Sequence, residues 1–180
     1  MHQTTHHEMS RSTLPVRVHL LLCSDDRILL TTGDETSPAQ WRLPSGNLEG
    51  QAASDAAVRI ACEQAALVTT AEDVWLEHVA HHWVDEKEQL GLFFHVTRTH
   101  GPVTPGAPRR SRRLAWHPLG ALPERFAWPD QDVVNRWARG EFFSHGGWTA
   151  RRTTTTLLPT GVFQAASTRP PSAPAASSRS

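Results

Sequence analysis

The sequence predicts an α/β fold: a mixed β-sheet with helices packed on it. Three observations predict it: β-type runs recur along the chain, two helix-compatible stretches lie among them, and the length suits a single core. With 180 residues, 38% of them hydrophobic, the chain can bury one real core and is too short to expect two. Lys plus Arg and Asp plus Glu both number 18, so the formal net charge is zero. That balance gives no electrostatic case for a nucleic-acid polymer or an anionic membrane, and a small-molecule partner is expected instead. Cys23 and Cys62 make neither a disulfide framework nor a metal knuckle. No apolar run reaches the length of a membrane span or of a signal-peptide core, so a soluble, cytoplasmic protein is expected.

Residues 1–14 are polar and aperiodic, and residues 149–180 are rich in Thr, Ser, Pro and Ala; both read as disordered tails flanking a domain at 15–148. "VRVHLLL" and "RILLTT", separated by the turn signal Ser24-Asp25-Asp26, predict a hairpin from Val16 to Thr32. Trp41 to Gly50 is a loop by its Pro and Gly content. Ser54 is the expected N-cap of a helix running to Ala66, with Asp55 in the first turn, where it suits the helix dipole. "VWLEHVAHHW" and "LGLFFHVTR" read as paired strands across the polar turn Asp85 to Gln89. "RLAWHPL" is a further strand after an Arg- and Pro-rich loop that starts near His100. A second helix is expected from Asp130 to Ala138, stopped by Gly140.

The stretch "WRLPSGNLEGQAASDAAVRIACEQAAL" carries the chemistry. From Gly46 onward it resembles the box of the Nudix hydrolase family, G-x5-E-x7-R-E-U-x-E-E-x-G-U, with U aliphatic. "WRLPSGNLEG" is similar to the family's W-x-L-P-G-G-x-x-E-x-G, "AAVRIACE" to A-A-x-R-E-U-x-E, and "LAWHPLGAL" and "GEFFSHGGW" to later family features. The likeness runs from about Pro15 to Trp148. It implies an α/β/α sandwich with the mixed sheet between helices, and a hydrolase that clamps Mg2+ or Mn2+ between carboxylates and a pyrophosphate.

With one residue fewer between Glu49 and Gly50, the match becomes specific. Gly46 takes the place of the glycine whose carbonyl is a metal ligand, Arg59 that of the arginine orienting the catalytic glutamate, and Glu63 that of the first paired glutamate. Gln51, Ile60 and Gln64 stand where the other three glutamates belong, and Ala66 where a glycine belongs. An amide is a neutral, poorer ligand for a hard divalent ion, so magnesium affinity should fall steeply. Glu49 in the loop, and Glu86 or Glu88 in the later turn, are the carboxylates expected to substitute; Glu63 with Glu49 or Glu88 would form a weakened site. The plain alternative is that Asp55, Arg59 and Glu63, spaced i, i+4, i+8, form a solvated ion-pair row. Restoring the box by Ile60→Glu and Gln64→Glu is expected to raise metal-dependent activity if the pocket still accepts a diphosphate.

Arg42, His82 and Trp83 are the candidate substrate-binding residues, Trp83 as a stacking platform alongside Trp116 or Trp128. His78 and His82 share a strand face while His81 points the other way, so a zinc site is disfavoured. Arg109, Arg110, Arg112 and Arg113 suit phosphate chemically but read more simply as a charged loop. Ser45 lacks the context of a serine nucleophile, and Cys62 reads as a small packing residue.

Two readings of function follow. In the first the chain hydrolyses a phosphoanhydride in a nucleoside diphosphate linked to another group, using the substituted metal site. In the second it is catalytically inactive and binds a nucleotide or related small molecule. The sequence leaves the oligomeric state open, a homodimer included.

Overall fold

The computed structural model describes residues 14–32, 40–99 and 113–148. The predicted tails, the Arg- and Pro-rich loop and Arg109, Arg110 and Arg112 lie outside the described residues, apart from Leu14 and Arg113.

Strand β1, Val16–Leu21, is buried along most of its length, and its adjacent residues Leu20 and Leu21 point into different cores. A strand buried on both faces belongs inside a sheet, with a neighbour on each edge. Accordingly β1 does not form the long hairpin expected from Val16 to Thr32. After Leu22 the chain changes sheet: β2, Cys23–Ser24, turns through Asp25 and Asp26 onto β3, Arg27–Thr32, and only this short ladder is a hairpin. β3 continues with β4, Trp41–Arg42, on the same edge as β2 and with β8, Leu114–Pro118, on the other.

The larger sheet collects β5, Ser45–Asn47; β6, Val74–Val84; β7, Lys87–Val96; and β9, Phe143–Gly146, in the order β5-β1-β7-β6-β9. It is mixed: β1 runs parallel to β7 and antiparallel to β5, and β6 is antiparallel to β7 and parallel to β9. The β6–β7 pairing is the one the sequence predicts, with a tighter turn. Only Asp85 and Glu86 link the strands, with φ of 49° and 60°, the double left-handed geometry of a two-residue hairpin.

Helix α1, Ala53–Ala65, lays Ala56, Ala57, Ile60, Ala61 and Ala65 against Val18, Leu20, Phe94 and Val96. Its alanines let the helix backbone approach the sheet closely. Ser54 is not its cap: the N-cap is Ala52, which makes no side-chain bond, and Ser54 already lies within the first turn. Helix α2, Trp128–Trp137, starts two residues before the expected Asp130, because Pro129, with its fixed φ, suits the first turn. It packs Val133 and Val134 on the opposite sheet face with Leu21, Leu30, Ala80 and Phe93. The result is the expected α/β/α sandwich.

The C-cap of α1 is Ala66, left-handed at φ 52°, ψ 29°, with its N–H shared between the carbonyls of Ala61 and Cys62. A Cβ is unfavourable in that conformation and glycine is the usual occupant. Ala66→Gly is therefore expected to stabilise the protein by about 1 kcal/mol. A melting temperature that falls in the variant would contradict this account of the cap.

Candidate functional site

The loop that feeds α1 is held to the sheet by β5, whose Gly46 pairs with Val18 of β1. It then turns at Glu49 and Gly50, with φ of 55° and 76°. From α1, Arg59 reaches back into this loop. Its Nη2 donates to the Asn47 carbonyl at 2.7 Å and its Nε to Gln51 Oε1 at 2.9 Å; Nη1 lies 3.3 Å from Glu63 and 3.6 Å from Glu49. Of the row Asp55, Arg59, Glu63, the Arg59–Glu63 step forms. Both glutamates are more than half exposed at 61% and 51%, so these pairs add little stability; the guanidinium's structural work is its bonds to the loop. Gln51, which replaces a box carboxylate, is one of its acceptors.

The neighbouring stripe of α1, Ile60 and Gln64, faces β5. Ile60 is fully buried, and its Cγ1 and Cδ1 lie against Gly46 so closely that a Cβ there would meet them at 3.0 and 3.1 Å. Gln64 spends its whole amide on Ser45: Oε1 accepts from the Ser45 N–H at 3.3 Å and Nε2 donates to the Ser45 carbonyl at 2.5 Å. A glutamate could accept the first bond but not donate the second. Hydrocarbon and a satisfied amide thus occupy the stripe where the family resemblance calls for carboxylates. Glu49 and Glu63 already flank one guanidinium, and among the described residues no group of three His, Cys, Asp or Glu could hold a metal ion. This donor set does not fit the family's magnesium clamp.

Glu88 lies near the start of β7, where it accepts from or pairs with His81 Nε2 at 2.8 Å. His82 and Trp83 fall on opposite faces of β6. His82 is buried beside Trp128, with ring centroids 5.6 Å apart, and burial pushes its imidazole below its ordinary pKa, favouring the neutral form. Trp83 meets Trp148 at 5.5 Å. His78, fully buried, is bonded at both ring nitrogens, to the Glu141 carbonyl and to Ser144 Oγ, the pattern of a structural histidine. Burial also pushes the Cys23 thiol up to about 11, leaving it protonated; Cys62 is exposed on α1, where a buried packing residue was expected.

Arg42 lies on the rim of a cavity of about 400 Å³ between the larger sheet and the start of α2. Its floor is a pair the sequence reading missed. His19 Nδ1 lies 3.2 Å from Asp130 Oδ1, off the line of a hydrogen bond, and Asp130 Oδ2 accepts the Leu43 N–H at 2.8 Å. The His19 ring stacks on Phe93 at 4.4 Å. Arg17, on the same face of β1, donates from Nε to Ser45 Oγ at 3.1 Å. Lys87 and Trp128 complete the mouth. Two signals were present in the sequence: a histidine inside an apolar strand, and an aspartate directly after a proline at a helix start.

The profile described as NUDIX domain matches residues 13–138. Among solved structures, the chain resembles the MutT NUDIX hydrolase from Burkholderia pseudomallei, with 20% identity and a TM-score of 0.58, covering 68% of this chain and 97% of that one. It also resembles the E. coli ORF135 protein, with 19% identity and a TM-score of 0.57, covering 78% and 95%. A third likeness is to an ADP-ribose pyrophosphatase from Streptococcus suis, with 16% identity and a TM-score of 0.50, covering 74% and 100%. Among curated proteins none matches the chain. At these identities the structural likenesses establish the fold alone.

Proposed function

We propose, since the chain belongs to the NUDIX domain family, that it binds a small nucleotide-type phosphoanhydride and no longer cleaves it by the family's metal route. Nudix hydrolases are pyrophosphohydrolases that act on small nucleotide-linked substrates and generally use a divalent metal such as Mg2+, so the ligand class comes from the family. The loss of cleavage comes from this chain's own residues. The observation that carries it is the filled stripe: Ile60 packed on Gly46 and Gln64 bonded at both ends to Ser45.

A second reading is favoured by the intact contact of Arg59 with Glu63 at 3.3 Å and the nearness of Glu49 to the same guanidinium. In it the chain is a slow hydrolase of a nucleoside diphosphate linked to another group. Mg2+ or Mn2+ would be held by the Gly46 carbonyl, Glu63 and either Glu49 or Glu88, and Arg59 would orient the site. Arg42, His82 and Trp83 remain the candidate substrate contacts; of the three, Arg42 lines the cavity, while His82 and Trp83 serve opposite faces of β6 and so would not meet one ligand together. A cytoplasmic location and a small-molecule partner, with neither nucleic-acid polymer nor membrane, belong to the same proposal; no helix among the described residues is long and apolar enough to cross a membrane.

Phosphate and pyrophosphate release separates the readings. The substrates are nucleoside di- and triphosphates, dinucleotides and nucleotide sugars, tested with Mg2+, Mn2+ or chelator. The expected result is no release above background, together with ligand-induced thermal stabilisation. Metal-dependent release that disappears in Glu63→Gln would establish the hydrolase instead.

A further inference from the structure

Among the described residues, β9 is an outer strand of the larger sheet, paired with β6 on one side and open on the other. The Val79 N–H bonds to the Phe142 carbonyl at 2.8 Å, so Phe142 turns its backbone groups toward β6. Alternation along the strand then turns those of Ser144 and Gly146 inward and those of Phe143 and His145 outward. An edge with unpaired N–H and C=O groups is a template for another strand, and proteins commonly guard it with charge or proline. Neither guards β9: Phe142 and Phe143 stand at this edge, 57% and 53% exposed.

Other exposed apolar side chains gather around the same strand. Trp75 and Leu76 lie on β6 just before its ladder with β9, and the Trp128 ring covers Gly146, where a Cβ would meet it at 3.0 Å. These are five of the seven large hydrophobic side chains exposed among the described residues, which makes the corner a patch rather than a scatter. The charges beside it are paired within the chain: Arg136 with Asp132 and Glu141, and Arg139 with Glu141. That network is neutral as a whole and leaves Glu77, next to Leu76, as the acid outside it. An identical copy therefore meets little like-charge repulsion here, and a strongly charged partner finds little to select it. The chain's own continuation heads elsewhere. Gly147, at φ 79°, packs on the Trp83 backbone, and the Trp148 ring meets Trp83 and His81, so the path from β9 turns inward over β6, away from the open edge.

We infer that two copies of this chain pair along β9, antiparallel about a twofold axis, joining their five-stranded sheets into one. Residues opposite one another across such an axis share a sheet face, and an axis at Ser144 sets Phe143 of each copy opposite His145 of the other. Both carry outward-facing backbone groups, so each such pair exchanges two hydrogen bonds. Phe143 and His145 share a face, with their rings 6.3 Å apart within one chain. On the opposite face Phe142 falls across from Gly146 of the other copy, whose missing side chain leaves the Trp128 ring as its neighbour. Trp75, Trp128, Phe142 and Phe143 offer on the order of 400 Å² per copy, half of the roughly 800 Å² that a standard interface takes from each partner. The paired backbones and flanking residues supply the remainder.

The test is sedimentation equilibrium of the full chain from about 1 to about 100 μM, with hydrogen exchange read at the Phe143 and His145 amides. The expected result is a monomer–dimer equilibrium that stops at the dimer, with both amides protected in it. Phe143→Lys and Phe142→Ser should each weaken association by about tenfold or more. Both side chains are more than half exposed, so the fold of each copy does not rest on them. Ser24→Lys, which adds the same charge to exposed β2 of the smaller sheet, should leave association unchanged. A monomer at about 100 μM, a mass that keeps growing past the dimer, or a dimer that neither β9 variant weakens overturns this pairing. Slow exchange at the two amides in a monomeric sample shows that another segment of the same chain covers the edge, and overturns it as well.

Discussion

Ile60→Glu is expected to destabilise the protein by roughly 4 kcal/mol or more and to restore no metal-dependent activity. Sequence comparison alone makes the opposite case, because glutamate is the residue the Nudix box calls for at this position. The structure reverses it. Ile60 is fully buried among Val18, Ala56, Ala57 and Ala61, with its side-chain carbons against Gly46. Glutamate there removes a well-packed aliphatic group and places a carboxylate in hydrocarbon. Its nearest basic partner along the helix, Arg59, is already committed to Asn47, Gln51, Glu49 and Glu63. The matching change Gln64→Glu loses the donor to the Ser45 carbonyl and so loosens the same loop. Urea unfolding of Ile60→Glu, with Ile60→Val as a mild control costing about 1 kcal/mol, reads the effect directly. A double variant Ile60→Glu, Gln64→Glu that keeps the parent midpoint and gains magnesium-dependent pyrophosphate release would show that the stripe is still a metal face.

Gly147→Ala is expected to be comparably severe, for a steric reason. Gly147 adopts φ 79°, and an added Cβ would overlap the carbonyl oxygen of Trp83 and sit 3.0 Å from its carbon. That obstacle is the backbone of β6, a strand paired on both edges with β7 and β9, so it cannot swing aside as a side chain could. Gly140 supplies the internal control: its φ is 76°, and a Cβ there meets nothing within 4 Å. Gly140→Ala should therefore cost only the conformational penalty, about 1 kcal/mol. Gly147→Ala should cost roughly 4 kcal/mol or more, because backbone overlap is added to it. Equal unfolding midpoints for the two variants would mean that the chain after β9 does not pass so close to β6.

The parts of the fold legible in the sequence are those written in local pattern. The β-type runs of β6 and β7 and the polar turn from Asp85 to Gln89 between them predict that hairpin, and the stop at Gly140 predicts the end of α2, because each is decided within a few residues. The partners of β1 are chosen by burial, which no local pattern reports: the strand, covered on both faces, takes β5 and β7 as neighbours, and neither is adjacent to it in sequence. The Ser54 cap failed because the helix begins one residue earlier than its best capping side chain. At the site, the box resemblance marks Gln64 and Ile60 as departures. Their roles, a clamp on Ser45 and a packing contact on Gly46, exist only once the loop is folded against α1. The His19–Asp130 pair and the cavity lined by Arg17, Arg42 and Lys87 join distant segments of the chain. No spacing rule reports them, and a lone lysine invites no functional reading until its position is known.

The packing of Ile60 on Gly46 also bears on how readily a carboxylate could be placed on this stripe. On a solvated surface one substitution would do it with little penalty. Here Ile60 belongs to the interior, and the amide of the adjacent Gln64 is part of the loop's support. Each single step toward an acidic stripe passes through a less stable protein, so an acidic stripe would need several coordinated changes at once. The contact therefore works as a ratchet against that substitution.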